Sequence, residues 1–303
     1  MDRVRFDTEA HPVRTLMKRF GLTVLALGLV ATLVLLSRPP PRRGASSLEP
    51  LFLPRASVLR AFGRPILPAI VDYYWLQSLQ TLGGARTASE FRSLADYGNL
   101  ISDLDSQFTY PNRFLGGAIP VDLGREQWVN TTESTELMQR ALAFAPDDYQ
   151  LRILLGFNLS YFHHRYEDAA RLLEATSRIP GSPSFIRPLA TRLYAHAGRF
   201  ESAMMFAQSL AESAEDPAQR ELFTRRMAEI QLERELQRVE AAAAAYRERT
   251  GTAPRDVSAL VAQGFLSPPP IDPLGGTIFL DEKGVAHSTS EEHRLAPFVP
   301  NGT

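Results

Sequence analysis

Apolar positions along this chain fall into three regimes. The first is continuous. Phe20 to Ser37 (FGLTVLALGLVATLVLLS) is a run of 18 residues without a charge, and its only polar side chains besides the closing serine are two threonines. As a helix rising ~1.5 Å per residue it reaches ~27 Å, close to the ~30 Å hydrocarbon core of a bilayer. Signal-peptide apolar regions are usually ~7–15 residues long and lead into a small-x-small cleavage site. Here Arg38-Pro39-Pro40-Pro41-Arg42-Arg43 closes the run, and the nearest such triplet, Ala45-Ser46-Ser47, lies too far beyond it. We therefore read residues 20–37 as an uncleaved transmembrane helix, preceded by a short N-terminus at 1–19 and followed by a linker at 38–47.

The second regime, 48–250, repeats every three to four residues, which predicts helices and an all-α fold. ILPAIVDYYWLQSLQTLGG (66–84) is helical in pattern. ASEFRSLADYGNLISDLD (88–105) places Phe91, Leu94, Tyr97, Leu100, Ile101 and Leu104 on one face. Internal repetition follows. HHRYEDAARLLEA (163–175) aligns with HAGRFESAMMFAQ (196–208), setting Arg165 over Arg199, Tyr166 over Phe200, Glu167 over Glu201 and Ala169 over Ala203, each pair 34 residues apart. A 34-residue period with an aromatic three before an alanine resembles the tetratricopeptide repeat (TPR), a helical hairpin that stacks into a solenoid. Gly156, Tyr194 and Gly198 match further positions of that pattern. STELMQRALAFAPDD (134–148) resembles a second repeat helix ended by Pro146, and 115–131 is then expected to be its degenerate, broken first helix. The repeat region is taken as 48–216. Residues 217–250 predict one long helix, opened by Asp216-Pro217 and closed by Gly251. Its stripe is Phe223, Met227, Ile230, Leu232, Leu236, Val239, Ala243 and Tyr246. A capping helix with a solvated outer face is favoured over a coiled-coil seam, because the stripe lasts too few heptads.

The third regime is the tail, 251–303. It predicts a short helix at Asp256–Gln263, proline-bracketed coil, and a β-hairpin of Thr277–Leu280 and Val285–Ser288 around the turn Asp281–Gly284. The order of long helix, short helix, Asp-Pro-x-Gly-Gly and strand resembles the unit after the long helix of type II secretion pseudopilins. That likeness covers this unit alone.

Charge narrows the function classes. The 33 basic and 34 acidic residues leave a net charge of −1, without the basic excess that nucleic-acid binding requires. There is no cysteine, so disulfides, thiolate metal sites and thiol catalysis are excluded. Five basic residues precede the apolar run (Arg3, Arg5, Arg14, Lys18, Arg19) and three follow it (Arg38, Arg42, Arg43). The excess favours a cytoplasmic N-terminus, an inner-membrane single pass, and a chain that is mostly periplasmic.

No nucleophile elbow, phosphate loop, H-E-x-x-H or dinucleotide fingerprint occurs. His163 and Glu167 stand four apart, but two ligands rarely hold a metal, and both are expected as exposed turn residues. Asp103 and Asp105 are two apart on a helix and do not face each other. No cofactor, metal or catalytic set is expected. The candidates are partner-binding residues: the aromatic group Tyr73, Tyr74 and Trp75 with Asp72, Gln77 and Gln80 on the same helix, and the first-helix positions Asn158, Tyr161 and Arg192. Trp and Tyr dominate interface hot spots.

Residues 52–84 (FLPRASVLRAFGRPILPAIVDYYWLQSLQTLGG), 103–111 (DLDSQFTYP), the repeats and DPLGGTIFLD (272–281) together resemble a family of single-span TPR proteins of delta-type proteobacteria, the PilG-type accessory proteins of type IV pilus assembly. The resemblance implies a TPR fold and an envelope complex as partner, a pilus machine or an associated ABC transporter. Three functions stay open: a membrane-anchored adaptor, an enzyme or small-ligand binder with a site between repeats and tail, and a structural protein that self-assembles through 217–250.

Overall fold

Helices dominate the computed structural model, which describes residues 53–290 and 294–295. The readings for 1–19, 20–37 and 38–47 lie outside these residues, as does the end of the tail. Among the described residues no helix is long and apolar enough to cross a membrane. Leu51–Thr303 forms one unit, separate from Met1–Pro50.

The unit opens with α1 (Ala56–Gly63), a 3-10 turn (Arg64–Ile66) and α2 (Leu67–Gly84). The predicted helix at 88–105 is two helices, α3 (Ala88–Arg92) and α4 (Leu94–Leu104), interrupted at Ser93. Thr87 and Glu90 build a capping box that starts α3, and the Ser93 hydroxyl donates to the Glu90 carbonyl at 2.7 Å. α5 (Tyr110–Ala118) begins earlier than the sequence suggests, and residues 115–131 are not a helix throughout. Pro120 lacks the N–H that a helix needs. Beyond it the chain forms an antiparallel hairpin, β1 (Val121–Asp122) against β2 (Trp128–Val129), with Val121 opposite Val129. Then come α6 (Thr131–Phe144), α7 (Tyr149–Tyr161), α8 (Tyr166–Thr176), α9 (Ile186–His196) and α10 (Phe200–Glu212). Tyr166 and Phe200 are both first residues of their helices.

Successive helices from α5 to α11 pack on one another, and α5 also touches α7. Small residues set the spacing. A Cβ built on Gly98 of α4 would stand 2.8 Å from Leu137 of α6, one on Gly116 of α5 2.9 Å from Met138 of α6, and one on Gly156 of α7 2.9 Å from Leu173 of α8. Each glycine thus seats a large side chain of a neighbouring helix. Ala169 and Ala203 are fully buried in the same core. At the turns, Gly198 has φ +70° and His164, its counterpart 34 residues earlier, has φ +51°.

α11 (Pro217–Thr250) starts with Asp216 accepting the Ala218 N–H at 3.1 Å and ends at Gly251, φ +72°. Phe223 and Ile230 join the core of the stack. Leu232, Leu236, Val239, Ala242 and Ala243 join a second core with the tail. One helix therefore caps the stack and carries the tail, and its apolar stripe is spent on these two cores rather than left for a second chain.

The tail contains α12 (Val257–Ala262) and the hairpin β3 (Ile278–Leu280) with β4 (Ala286–Ser288). Asp272 holds it together. Its carboxylate accepts from the Ser288 hydroxyl, from Ser290 at 2.5 Å and from the Leu274 N–H at 2.7 Å. A Cβ on Gly276 would meet that carboxylate at 2.5 Å, which explains the Asp-Pro-x-Gly-Gly sequence. Arg294 then fastens the tail to α11 through Glu233 and Glu240, both at 2.5 Å.

Candidate functional site

The sequence candidates separate onto three places. On α2, Asp72 and Gln80 are exposed, whereas Tyr73, Trp75 and Gln77 are half-buried. Trp75 does not stand free. It packs edge-on against Phe108 at 6.5 Å, Tyr110 at 5.8 Å and Phe114 at 5.6 Å, so its contacts reach α5 as well as α4. Tyr110 and Phe114 stack on each other and stay largely exposed. Tyr74, half-buried, has its hydroxyl pushed up to about 12 by desolvation first and by Tyr73 and Tyr97 second.

The second place is an aromatic shelf. Phe157 and Tyr161, one turn apart on α7, stack at 5.0 Å. Phe162 lies 5.1 Å from Tyr161. Trp128 of β2 closes the group, 6.1 Å from Tyr161 and 5.1 Å from Phe162. Phe157 is 51% exposed and Trp128 38% exposed. The hairpin that delivers Trp128 is strained, for Arg125 (φ +56°) and Glu126 (φ +61°) both occupy the left-handed region without being glycine. Such residues cost ~1–2 kcal/mol each.

Asn158 does not belong to this surface. It is 4% exposed, and its amide donates to Ser134 at 2.7 Å and Thr135 at 3.3 Å. It is a link between α7 and α6, turned inward because α6 covers that side of α7. His163 also differs from its expected exposed place: it is half-buried, with Nε2 2.9 Å from the Thr135 hydroxyl. Glu167 instead pairs with Arg171 and Arg199, so the His163–Glu167 pair does not converge. Asp103 pairs with Arg140, while Asp105 caps the end of α4 and accepts the Gln107 N–H at 2.9 Å.

Arg192 occupies the third place, a polar cleft of about 150 Å³ between α9, α11 and the tail. Arg226, Glu229, Glu233, His287 and Arg294 also line it. The Arg192 Nε has no hydrogen-bond partner among the described residues. Ser288 borders the cleft but gives its hydroxyl to Asp272, and His287 lies 3.3 Å from Asp281. In this cleft the Ser288 hydroxyl is thus not paired with the neighbouring imidazole. Nearby, His196 is held below the usual imidazole range by burial, with Glu233 opposing and Arg294 adding to the shift.

The remaining repeat positions are internal. Tyr194 is buried and donates to Glu174 at 2.8 Å, and desolvation with that bond drives its pKa upward. Tyr166 is half-buried, its ring 4.2 Å from that of His196, and Phe200 packs on the core.

Trp128, Phe157, Phe162, Tyr110 and Phe114 were not singled out from sequence. The i,i+4 pairs Phe157–Tyr161 and Tyr110–Phe114 were the available signal. Reading 115–131 as a broken first helix left the hairpin that brings Trp128 onto α7 unseen. No family model, curated protein or solved structure matches this chain.

Proposed function

We propose that this chain is a membrane-anchored, non-enzymatic scaffold of TPR-like repeats that binds a protein of a bacterial envelope complex through the shelf of Trp128, Phe157, Tyr161 and Phe162. The shelf is the observation that carries this reading: four rings in mutual contact, two of them well exposed, presented by a stack of helices. Aromatic anchors of this kind dominate protein–protein binding energy. The 34-residue spacing of Tyr166 and Phe200, each opening a helix, supports the repeat assignment. The apolar run 20–37 serves as the inner-membrane anchor, with the N-terminus cytoplasmic and the stack and tail periplasmic. The family resemblance supplies the candidate complex, type IV pilus assembly or an associated ABC transporter.

A second reading has the cleft at Arg192 in its favour, as a small-ligand site. Its ~150 Å³ falls below the ~300–1,000 Å³ usual for such sites. The test uses the full chain in its native envelope, crosslinked and isolated with its partners. Trp128→Ala with Phe157→Ala abolishes recovery of a defined partner, and Arg192→Ala does not. Partner loss with Arg192→Ala alone overturns the proposal.

A further inference from the structure

α1 presents an apolar stripe that the fold leaves uncovered. Phe62 is 87% exposed, Val58 49% and Ile66, in the following turn, 51%. Val58 and Phe62 are one helical turn apart. The opposite side of α1 is used internally: Gly63 is buried, a Cβ on it would lie 2.2 Å from Ile70, and Ala56 and Leu59 pack on the core formed with α4. The helix is therefore fixed in rotation, with its stripe outward.

The charges around the stripe have one sign. From Leu53 to Val71 the chain carries Arg55, Arg60 and Arg64 and no Asp, Glu or Lys. All three arginines are exposed, and none forms an ion pair with a described residue. At about 100° per residue, Arg55 falls beside the Val58–Phe62 stripe, whereas Arg60 and Arg64 fall on the far side of the helix. An aromatic and aliphatic stripe on a helix whose other exposed positions include guanidinium groups and no acid is the chemistry of an interfacial helix: the Phe62 ring enters the acyl boundary while the cations are drawn to the anionic headgroup layer. A protein partner with an apolar groove would satisfy the stripe but would leave three cations to be matched by acids. An anionic bilayer surface matches both together.

We propose that α1 lies on an anionic membrane surface, with Val58, Phe62 and Ile66 in the interface and Arg55, Arg60 and Arg64 attracting it to the anionic headgroup layer. This rests on the anchor reading only for proximity: residues 38–55 reach at most about 60 Å from the end of the apolar run. The surface itself is carried by exposure and charge.

The test exploits the lack of cysteine. Phe62→Cys in the full chain gives a unique attachment point for an environment-sensitive fluorophore, and Met205→Cys, 71% exposed on α10, gives a second. Both proteins are reconstituted in vesicles of phosphatidylcholine with or without phosphatidylglycerol, and flotation reports anchoring independently of the probe. In phosphatidylglycerol vesicles the probe at 62 shifts to the blue and is quenched by doxyl-labelled lipid, whereas the probe at 205 does neither. Arg60→Glu with Arg64→Glu removes the shift and the quenching at 62 while flotation persists. A floated protein whose probe at 62 stays in water overturns the proposal and leaves the anchor standing. Protection from iodide without lipid quenching overturns it in favour of a protein occupant. Failure to float counts against the anchor, and lipid quenching at 62 is then read on protein added to preformed vesicles, where its absence overturns the proposal.

Discussion

Between α5 and α10 the helices meet mainly through glycine, alanine and fitted apolar side chains, with a few polar links, Asn158 to Ser134, Tyr194 to Glu174 and Arg199 to Glu167. Between α11 and the tail, carboxylates do the joining: Asp272 gathers two hydroxyls and a backbone N–H, Asp281 holds its turn, and Glu233 and Glu240 hold Arg294. The polar groups that the stack buries are uncharged, and it leaves rings outside. The tail consumes its hydroxyls and acids internally and leaves a cramped cleft. This contrast explains why binding chemistry is assigned to the stack, while the tail reads as a fastener at its end. It also makes the two regions respond to different perturbations.

Overpacking strikes the stack. Ala169→Leu and Ala203→Leu each add three carbons to a contact with no free space and cost about 1–3 kcal/mol. Thermal unfolding of the purified chain reads the loss, which spreads to neighbouring pairs because repeats stabilise one another. Hydrogen exchange that reports damage confined to the tail would erase the distinction between the regions.

Charge removal strikes the tail. Asp272→Asn keeps the shape and removes the charged acceptor, at a cost of about 1–2 kcal/mol. Burial alone raises the Asp272 pKa, but hydrogen bonds from Ser288, Ser290, Leu274 and Gly276 outweigh it and hold the group below the ordinary carboxylate range. The folded state therefore favours the ionised form. That stability is complete above the unfolded value of about 4 and is lost as pH falls through the lower folded value. Exchange protection of 272–290 measured across this range falls in the parent. In Asp272→Asn this titration step is missing.

The smallest effect is a gain. His164→Gly places glycine where φ is +51°, as the chain itself does at Gly198. Relief of the left-handed strain exceeds the added chain entropy and the lost contact to the Tyr166 hydroxyl, 2.9 Å away. The expected gain is about 0.5 kcal/mol, read as a raised unfolding midpoint.

Sequence periodicity located the helices where it was long and regular. α2, α8, α10 and α11 follow from apolar spacing and from Asp216, Pro217 and Gly251 at the ends of the longest. At 115–131 it pointed to a broken helix, and a helix does end at Ala118, but the hairpin that takes over left no periodic sign. Gly116 there serves close packing and Gly124 serves the turn, two uses that look alike in a sequence. The candidate surface was harder still. Tyr161 belongs to the shelf and Asn158, three residues earlier, faces the core; which side of α7 the neighbouring helix covers depends on packing rather than on local pattern. Trp128 and Tyr161 lie 33 positions apart and meet because β2 folds back against the end of α7.

The assignment of binding to the stack is tested most directly by photo-crosslinking in the native envelope. A photoreactive residue replaces Phe157 on the shelf, and in a second protein Phe279, which is 44% exposed on the tail hairpin. The account predicts a discrete crosslinked protein from position 157 and none from position 279. A partner captured from 279, with position 157 silent, would contradict it.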